Sequence, residues 1–227
     1  MAAVVESSMV TVIDVQVVLP DHWWAIPLQP PEARERSVRR LVERQFTGVD
    51  DQPLLRVDTR RQLLAQAGTA AASDARLMAL SLQQVGGVPV PASLVVHWID
   101  VAARSDSKPG DGSLLLGLQE ELRPAPGVAS PPGFVLDLGQ TPAGTVLRLV
   151  HEQPAELEGA EPMPSLVADY WLERPDGGGL VQLAFGTPMV LLRQPLLELF
   201  DAIAGALRWV SANESGVADP WTDDGQA

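Results

Sequence analysis

Cysteine is absent from the chain, which excludes a disulfide framework, a thiolate metal site and a cysteine nucleophile. Lysine is nearly absent too. Lys108 is the only one, so fifteen of the sixteen basic residues are arginines. Histidine occurs three times, as His22, His97 and His151, and no pair has the i, i+4 spacing of a helical zinc motif. No run of residues approaches the roughly 18 apolar positions that a membrane span needs. The first ten residues carry Glu6 and lack the basic and apolar regions of a signal peptide, so the expected location is the cytoplasm. Positive charge is scarce overall. The net charge of −13 and isoelectric point near 4.5 disfavour nonspecific attraction to nucleic acid or to an anionic membrane.

Catalytic signatures are missing in the same way. There is no G-x-S-x-G turn, and Ser81, Ser93 and Ser165 lack the glycines that such a turn requires. Gly177-Gly178-Gly179 and Gly86-Gly87 lie between strand-like segments, where a hairpin turn accounts for them better than a phosphate cradle at a helix start. Acidic residues are scattered or adjacent in pairs, which point apart on a helix or strand. The loop Asp106 to Asp111 lacks the ligand spacing of a calcium-binding EF-hand. No catalytic set, metal site or cofactor is implied.

What the 227 residues do contain is regular alternation and helical periodicity. Val10 to Leu19 reads as an N-terminal strand, followed by a short extended piece from His22 to Leu28. Pro30 and Pro31 open a helix over Glu32 to Phe46, and a second helix is expected from an N-cap at Asp58 or Thr59. Ala75 to Val85 and Ala92 to Val101 form a hairpin around Gly86–Pro91. The return strand is apolar on both faces, which places it inside a sheet. A short helix follows at Ser113 to Leu122. A second hairpin turns near 139–144 and a third near 174–179, the latter carrying the Asp-Gly signal. Leu196, Leu199, Phe200, Ile203, Leu207 and Val210 form one stripe of a closing helix over Pro195 to Val210. The fold class expected is α+β, a single antiparallel sheet of about seven strands packed with helices. Residues 1–210 read as one domain, and the acidic stretch from 211 to 227 as a disordered tail.

Two features stand out as candidate partner-binding surfaces. Arg34, Arg36, Arg39, Arg40 and Arg44 crowd the first helix, with Glu32, Glu35 and Glu43 between them. Ion pairs such as Glu35–Arg39 and Glu32–Arg36 on a solvated face are the plain explanation. The alternative is a dock for an acidic partner, because the guanidinium fork suits carboxylates. In Trp23-Trp24, adjacent strand residues face opposite ways, which leaves one indole available as an interface anchor. Trp23, Trp24, Arg36, Arg39 and Arg40 are therefore the candidate site residues. His97 and His151 both fall in expected strands and can converge in space. A pocket at them with acidic neighbours would favour a small-molecule-binding protein or a hydrolase.

The C-terminal third carries a family resemblance. Val167-Ala168-Asp169-Tyr170-Trp171-Leu172-Glu173-Arg174-Pro175-Asp176-Gly177 is similar to a strand–Pro-Asp-Gly–strand hairpin. Leu183-Ala184-Phe185-Gly186-Thr187-Pro188, with Leu199 to Ala204 and Leu207-Arg208-Trp209, resembles a final strand and closing helix. In these stretches the chain resembles uncharacterised actinobacterial proteins of PsbP/Mog1-like fold, with looser echoes at Trp24–Leu28 and Ala75–Met78. The resemblance implies a sheet backed by helices that acts as a non-enzymatic binding or assembly module. Mog1-type members bind a small GTPase and PsbP-type members a photosynthetic membrane complex. Neither functional surface is matched here, so neither partner is carried over. The function expected is a cytoplasmic protein-binding adaptor or assembly module. A chaperone of a specialised actinobacterial secretion system is a further alternative.

Overall fold

The computed structural model describes residues 12–47, 52–101, 113–155 and 162–211. Its centre is a seven-stranded, wholly antiparallel sheet. Its strands are β2 (Trp23–Pro27), β3 (Ala75–Ser81), β6 (Ser93–Asp100), β7 (Val135–Thr141), β8 (Gly144–Ala155), β9 (Met163–Glu173) and β10 (Gly179–Thr187). They lie in the spatial order β2-β3-β6-β10-β9-β8-β7. The expected α+β class and strand number hold. The expected membership does not: the N-terminal strand, β1 (Val12–Gln16), stands outside this sheet and pairs with β11 (Arg208–Ser211) as a separate two-stranded ribbon. The chain turns after it, with the Trp23 amide donating to the Pro20 carbonyl at 2.9 Å, and β2 takes the edge position instead.

Each hairpin follows from its turn chemistry. Gly86 and Gly87 both have positive φ, at 59° and 81°, and close the small ribbon of β4 (Gln84–Val85) and β5 (Val88–Pro89). Between β9 and β10, the Asp176 carboxylate accepts from the Gly178 amide at 2.9 Å and Gly177 takes a φ of 73°. Gly179 has a different reason to be glycine. Its φ is 143°, and a Cβ there would run into the carbonyl oxygen of Ile99 on β6.

Alternation sorts the strands into two faces. One face carries Leu94 and Val96 of β6, Val181, Leu183 and Phe185 of β10, and Ala168, Tyr170 and Leu172 of β9, all buried. Helix α4 (Arg193–Gly205) covers it with Leu196, Phe200, Ile203 and Ala204. Phe200 stacks on Phe185 with ring centroids 4.4 Å apart, and Tyr170 meets Phe185 edge-on. The helix was expected to reach Val210 but stops at Gly205. Pairing with β1 recruits the strand-favouring Trp209 and Val210, and the Trp209 indole donates to the Ala143 carbonyl at 2.8 Å. Ser211, expected to begin the tail, ends β11; residues 212–227 lie outside the described residues.

The opposite face is covered at its two sides. Helices α1 (Pro31–Gln45) and α2 (Pro53–Ala72) pack over β2 and β3, burying Val38, Leu41 and Val42 of α1 and Ala67 and Ala70 of α2 with Ile26 and Met78. Helix α3 (Ser113–Leu122) packs over β8 and β9 around Leu115, Leu147, Leu149 and Trp171. The Glu173 carboxylate caps its first turn, accepting from the Leu114 amide at 2.8 Å and the Leu115 amide at 3.1 Å. Helix α2 starts at Pro53, ahead of the expected cap. A proline at its first position needs no amide partner, and Asp58 instead pairs with Arg61 at 3.0 Å within the helix.

Candidate functional sites

Trp23 and Trp24 do point to opposite faces, but neither is exposed. Trp23 is 8% exposed and packs edge-on against Phe185 beneath α4. Trp24 is half-buried on the α1 side; its indole donates to the Ser37 hydroxyl at 3.0 Å and the Arg44 guanidinium lies over its ring. An exposed tryptophan anchor is therefore not what this dipeptide supplies. Sheet packing on both sides takes both rings.

Arg36, Arg39 and Arg40 are exposed on α1. An i, i+4 pair that forms there is Arg39–Glu43, at a loose 4.0 Å, one turn beyond the expected Glu35–Arg39 spacing. Arg34 and Arg56 reach the Leu28 and Phe46 carbonyls, and the exposed Arg44 lies over the Trp24 ring. Helix α1 carries five arginines against three glutamates, and α2 three arginines against one aspartate. The two helices therefore hold +4 within a chain of −13, and half of its basic residues. The first turns of α2 add exposed apolar side chains: Leu54 is 80% exposed, and Leu55 and Val57 more than half. Helices α1 and α2 thus combine an excess of arginine with exposed aliphatic side chains at the start of α2.

The histidines give a second arrangement. His97 pairs in register with Gln182, Val95 with Ala184, Ala184 with Asp169, and Val167 with His151. Paired residues share a face, so His97, Gln182, Asp169 and His151 line one strip of the sheet, between α1–α2 on one side and α3 on the other. Asp169 is 9% exposed, and one carboxylate oxygen accepts from the Gln182 amide at 2.9 Å. Burial pushes the Asp169 carboxyl above its ordinary value, while the Gln182 hydrogen bond, His151 and His97 pull the other way. His151 turns Nε2 toward the Gln153 amide oxygen at 3.4 Å. No group of three His, Cys, Asp or Glu side chains stands in metal-binding array among the described residues. Ser93, on the same face, donates its hydroxyl proton to the Gly186 carbonyl at 3.3 Å.

A third polar cluster lies beneath α4, beside an open cleft of about 320 Å³. Arg148 donates to both oxygens of Asp137 on β7, at 3.1 and 2.9 Å, and to both oxygens of Asp201 on α4, at 3.0 and 2.8 Å. The Tyr170 hydroxyl donates to Asp201 at 2.7 Å. Burial raises the Tyr170 hydroxyl well above its ordinary range, with the Asp201 contact adding to it. Every guanidinium nitrogen of Arg148 is used, so this cluster clips α4 to the sheet. Arg174 is a second clip: it reaches Asp100 and Asp176 and lies 4.3 Å from the centre of the Trp98 ring.

Asp169 and Gln182 are not among the residues that the sequence singles out beside His97 and His151. A signal for Asp169 was present, as the one charged residue within the apolar run Leu166 to Leu172. Among the described residues no helix is long and apolar enough to cross a membrane. Comparison of the chain with protein-family models, with curated proteins and with solved structures finds no match.

Proposed function

We propose that this protein is a non-enzymatic adaptor or assembly module of the cytoplasm that binds an acidic protein partner through α1 and α2. The observation that carries this reading is the +4 charge of those two helices in a chain of −13, beside exposed Leu54, Leu55 and Val57. Outward arginines meet carboxylates with paired hydrogen bonds, and the aliphatic border supplies the area that charge alone does not. A non-enzymatic role fits Ser93, whose hydroxyl proton goes to a backbone carbonyl and not to an imidazole base. The PsbP/Mog1-like relation belongs to the same reading. Its support is the order of a Pro-Asp-Gly hairpin, a final long strand and a closing helix laid across the sheet.

The test immobilises the chain against extract from its native source and repeats the binding with the purified partner. One partner should be retained by the wild type and lost with Arg36→Glu/Arg39→Glu. It should elute between about 0.1 M and about 1 M salt, where screening shortens to a few ångströms, and bind less well to Leu54→Ser/Val57→Ser. Equal retention by all three chains, or no partner at all, overturns the proposal.

A further inference from the structure

The seven-stranded sheet has two edges, β2 and β7, and they are finished differently. On β2 each residue whose backbone faces away from β3 is blunted. The Trp23 amide donates to the Pro20 carbonyl at 2.9 Å, the Ala25 carbonyl accepts from the Ser37 hydroxyl at 3.3 Å, and Pro27 has no amide to offer. Strand β7 has no such device. It holds seven residues in unbroken register with β8, with no proline, lysine, arginine or bulge. Successive residues of an antiparallel strand turn their amide and carbonyl to opposite neighbours. The Arg174 amide donates to the Gly179 carbonyl at 2.9 Å, which turns Tyr170 and Leu172 to β10 and Asp169 and Trp171 to β8. Carried on through β8, the alternation bonds Val135, Asp137, Gly139 and Thr141 to β8 and points the backbone of Leu136, Leu138 and Gln140 outward. Among the described residues no hydrogen bond reaches those outward amides and carbonyls.

We propose that β7 is a docking edge for an extended, cationic segment of a partner protein. The segment joins the sheet as an eighth strand, sets apolar side chains beside Leu136 and Leu138, and sends a lysine or arginine toward Asp137 and Asp201. Ladder bonds supply the attachment, and alternate side chains supply the selectivity. Residues set opposite Leu136, Leu138 and Gln140 fall on the α3 face, where Leu138 is 41% exposed and Leu136 half-buried. Those set opposite Asp137 and Gly139 fall on the α4 face, at the open cleft whose wall includes the chain from Asp137 to Pro142. The charged side chains lining that cleft are Asp137, Arg148 and Asp201, a formal charge of −1. Arg148 holds both carboxylates, yet the two aspartate side chains remain 47% and 43% exposed and have lone pairs left to accept with. A second copy of the chain is the poorer occupant, because it would bring another −13 and a second cluster of the same sign to the joint.

The test titrates the peptide acetyl-Thr-Val-Lys-Val-Lys-Val-Thr-amide into the full chain and follows the backbone amides by NMR. Those of Leu136, Leu138 and Gln140 are expected to shift saturably and to exchange more slowly when bound, while those of β2 stay in place. Methylating the amide nitrogen of the central valine, or replacing both lysines by glutamate, should each weaken binding at least about tenfold. Leu138→Pro deletes an outward amide, leaves the bonds to β8 intact, and should weaken binding by a similar factor. Arg36→Glu/Arg39→Glu should bind like the wild type, which separates this edge from the α1–α2 surface. Equal binding of the methylated peptide, or equal or tighter binding of the glutamate peptide, overturns the proposal. A chain that sediments as a dimer, with its Leu138 amide protected before any peptide is added, assigns the edge to a second copy and overturns it too. The three peptides on the wild type decide the matter whatever the stability of Leu138→Pro.

Discussion

A carboxyl group that is nine-tenths buried on a central strand opposes the fold whenever it is ionised. Burial is the largest influence on Asp169 and raises its native pKa above the unfolded value, near 3.8. The native chain therefore holds this proton more tightly than the unfolded chain does. The contribution of the group favours the fold below the unfolded value and is lost as pH rises through the native one. Asp169→Asn keeps the acceptor for the Gln182 amide and cannot ionise. It is expected to stabilise the chain at about pH 7.5 by on the order of 1 kcal/mol, with the gain shrinking toward about pH 3.5. Urea unfolding at both ends of that range checks it, and an equal effect at both would count against burial as the cause. Arg148 behaves in the opposite sense, because its charge is compensated on both sides by Asp137 and Asp201. Arg148→Met leaves two carboxylates facing each other and should cost about 1.5–3 kcal/mol, the usual worth of charged hydrogen bonds. Exposed Arg36→Glu/Arg39→Glu should stay within about 0.5 kcal/mol of the wild type per site. That contrast in melting curves separates the clip from the proposed docking residues.

At the scale of elements, local signals were legible where one mechanism decides the outcome. Ser113–Leu122, the Gly86-Gly87 turn and the Pro-Asp-Gly hairpin all stand where periodicity and turn chemistry put them, because their own residues suffice. The closing helix was overextended because Leu207 and Val210 continue its stripe, while pairing with β1 decides the backbone from Arg208 onward. Nothing within a few residues of Trp209 announces a partner strand some two hundred positions earlier. The N-terminal strand was assigned to the main sheet for the same reason. The candidate site was half legible: His97 and His151 sit on strands as expected, but their sharing one face with Asp169 depends on register across four strands, β6, β10, β9 and β8. That register is pinned in part by Gly179. Gly179→Ala places a methyl against the Ile99 carbonyl at a φ of 143° and should destabilise by about 2 kcal/mol or more, read as a lower urea midpoint.

For the molecule as a whole, the two faces of one sheet serve different ends. The face under α4 joins residues from β2 through β10 to Phe200 and Ile203 in one continuous core, whereas the other face is split between two smaller clusters at its sides. Stability should follow that division, because opening a strand costs what its buried contacts and ladder bonds are worth. Strands β6, β10 and β9 have hydrogen-bonded neighbours on both edges and their inner side chains under α4. The β4–β5 ribbon has two short strands with exposed Val85 and Val88, and β1–β11 is a separate ribbon tied back through Val17 and Trp209. Native-state hydrogen exchange is therefore expected to rank the amides of Val181, Leu183, Ala168 and Tyr170 as slowest, near the global unfolding limit. Those of β4–β5 should exchange first and those of β1–β11 next. The half-buried Gln182 and Ala184 leave this order unchanged, since the β10 amides bond to β6 and β9 within the plane of the sheet. Early exchange at Gln182 and Ala184, ahead of β1–β11, would instead show that the middle of β10 is a weak seam of the fold.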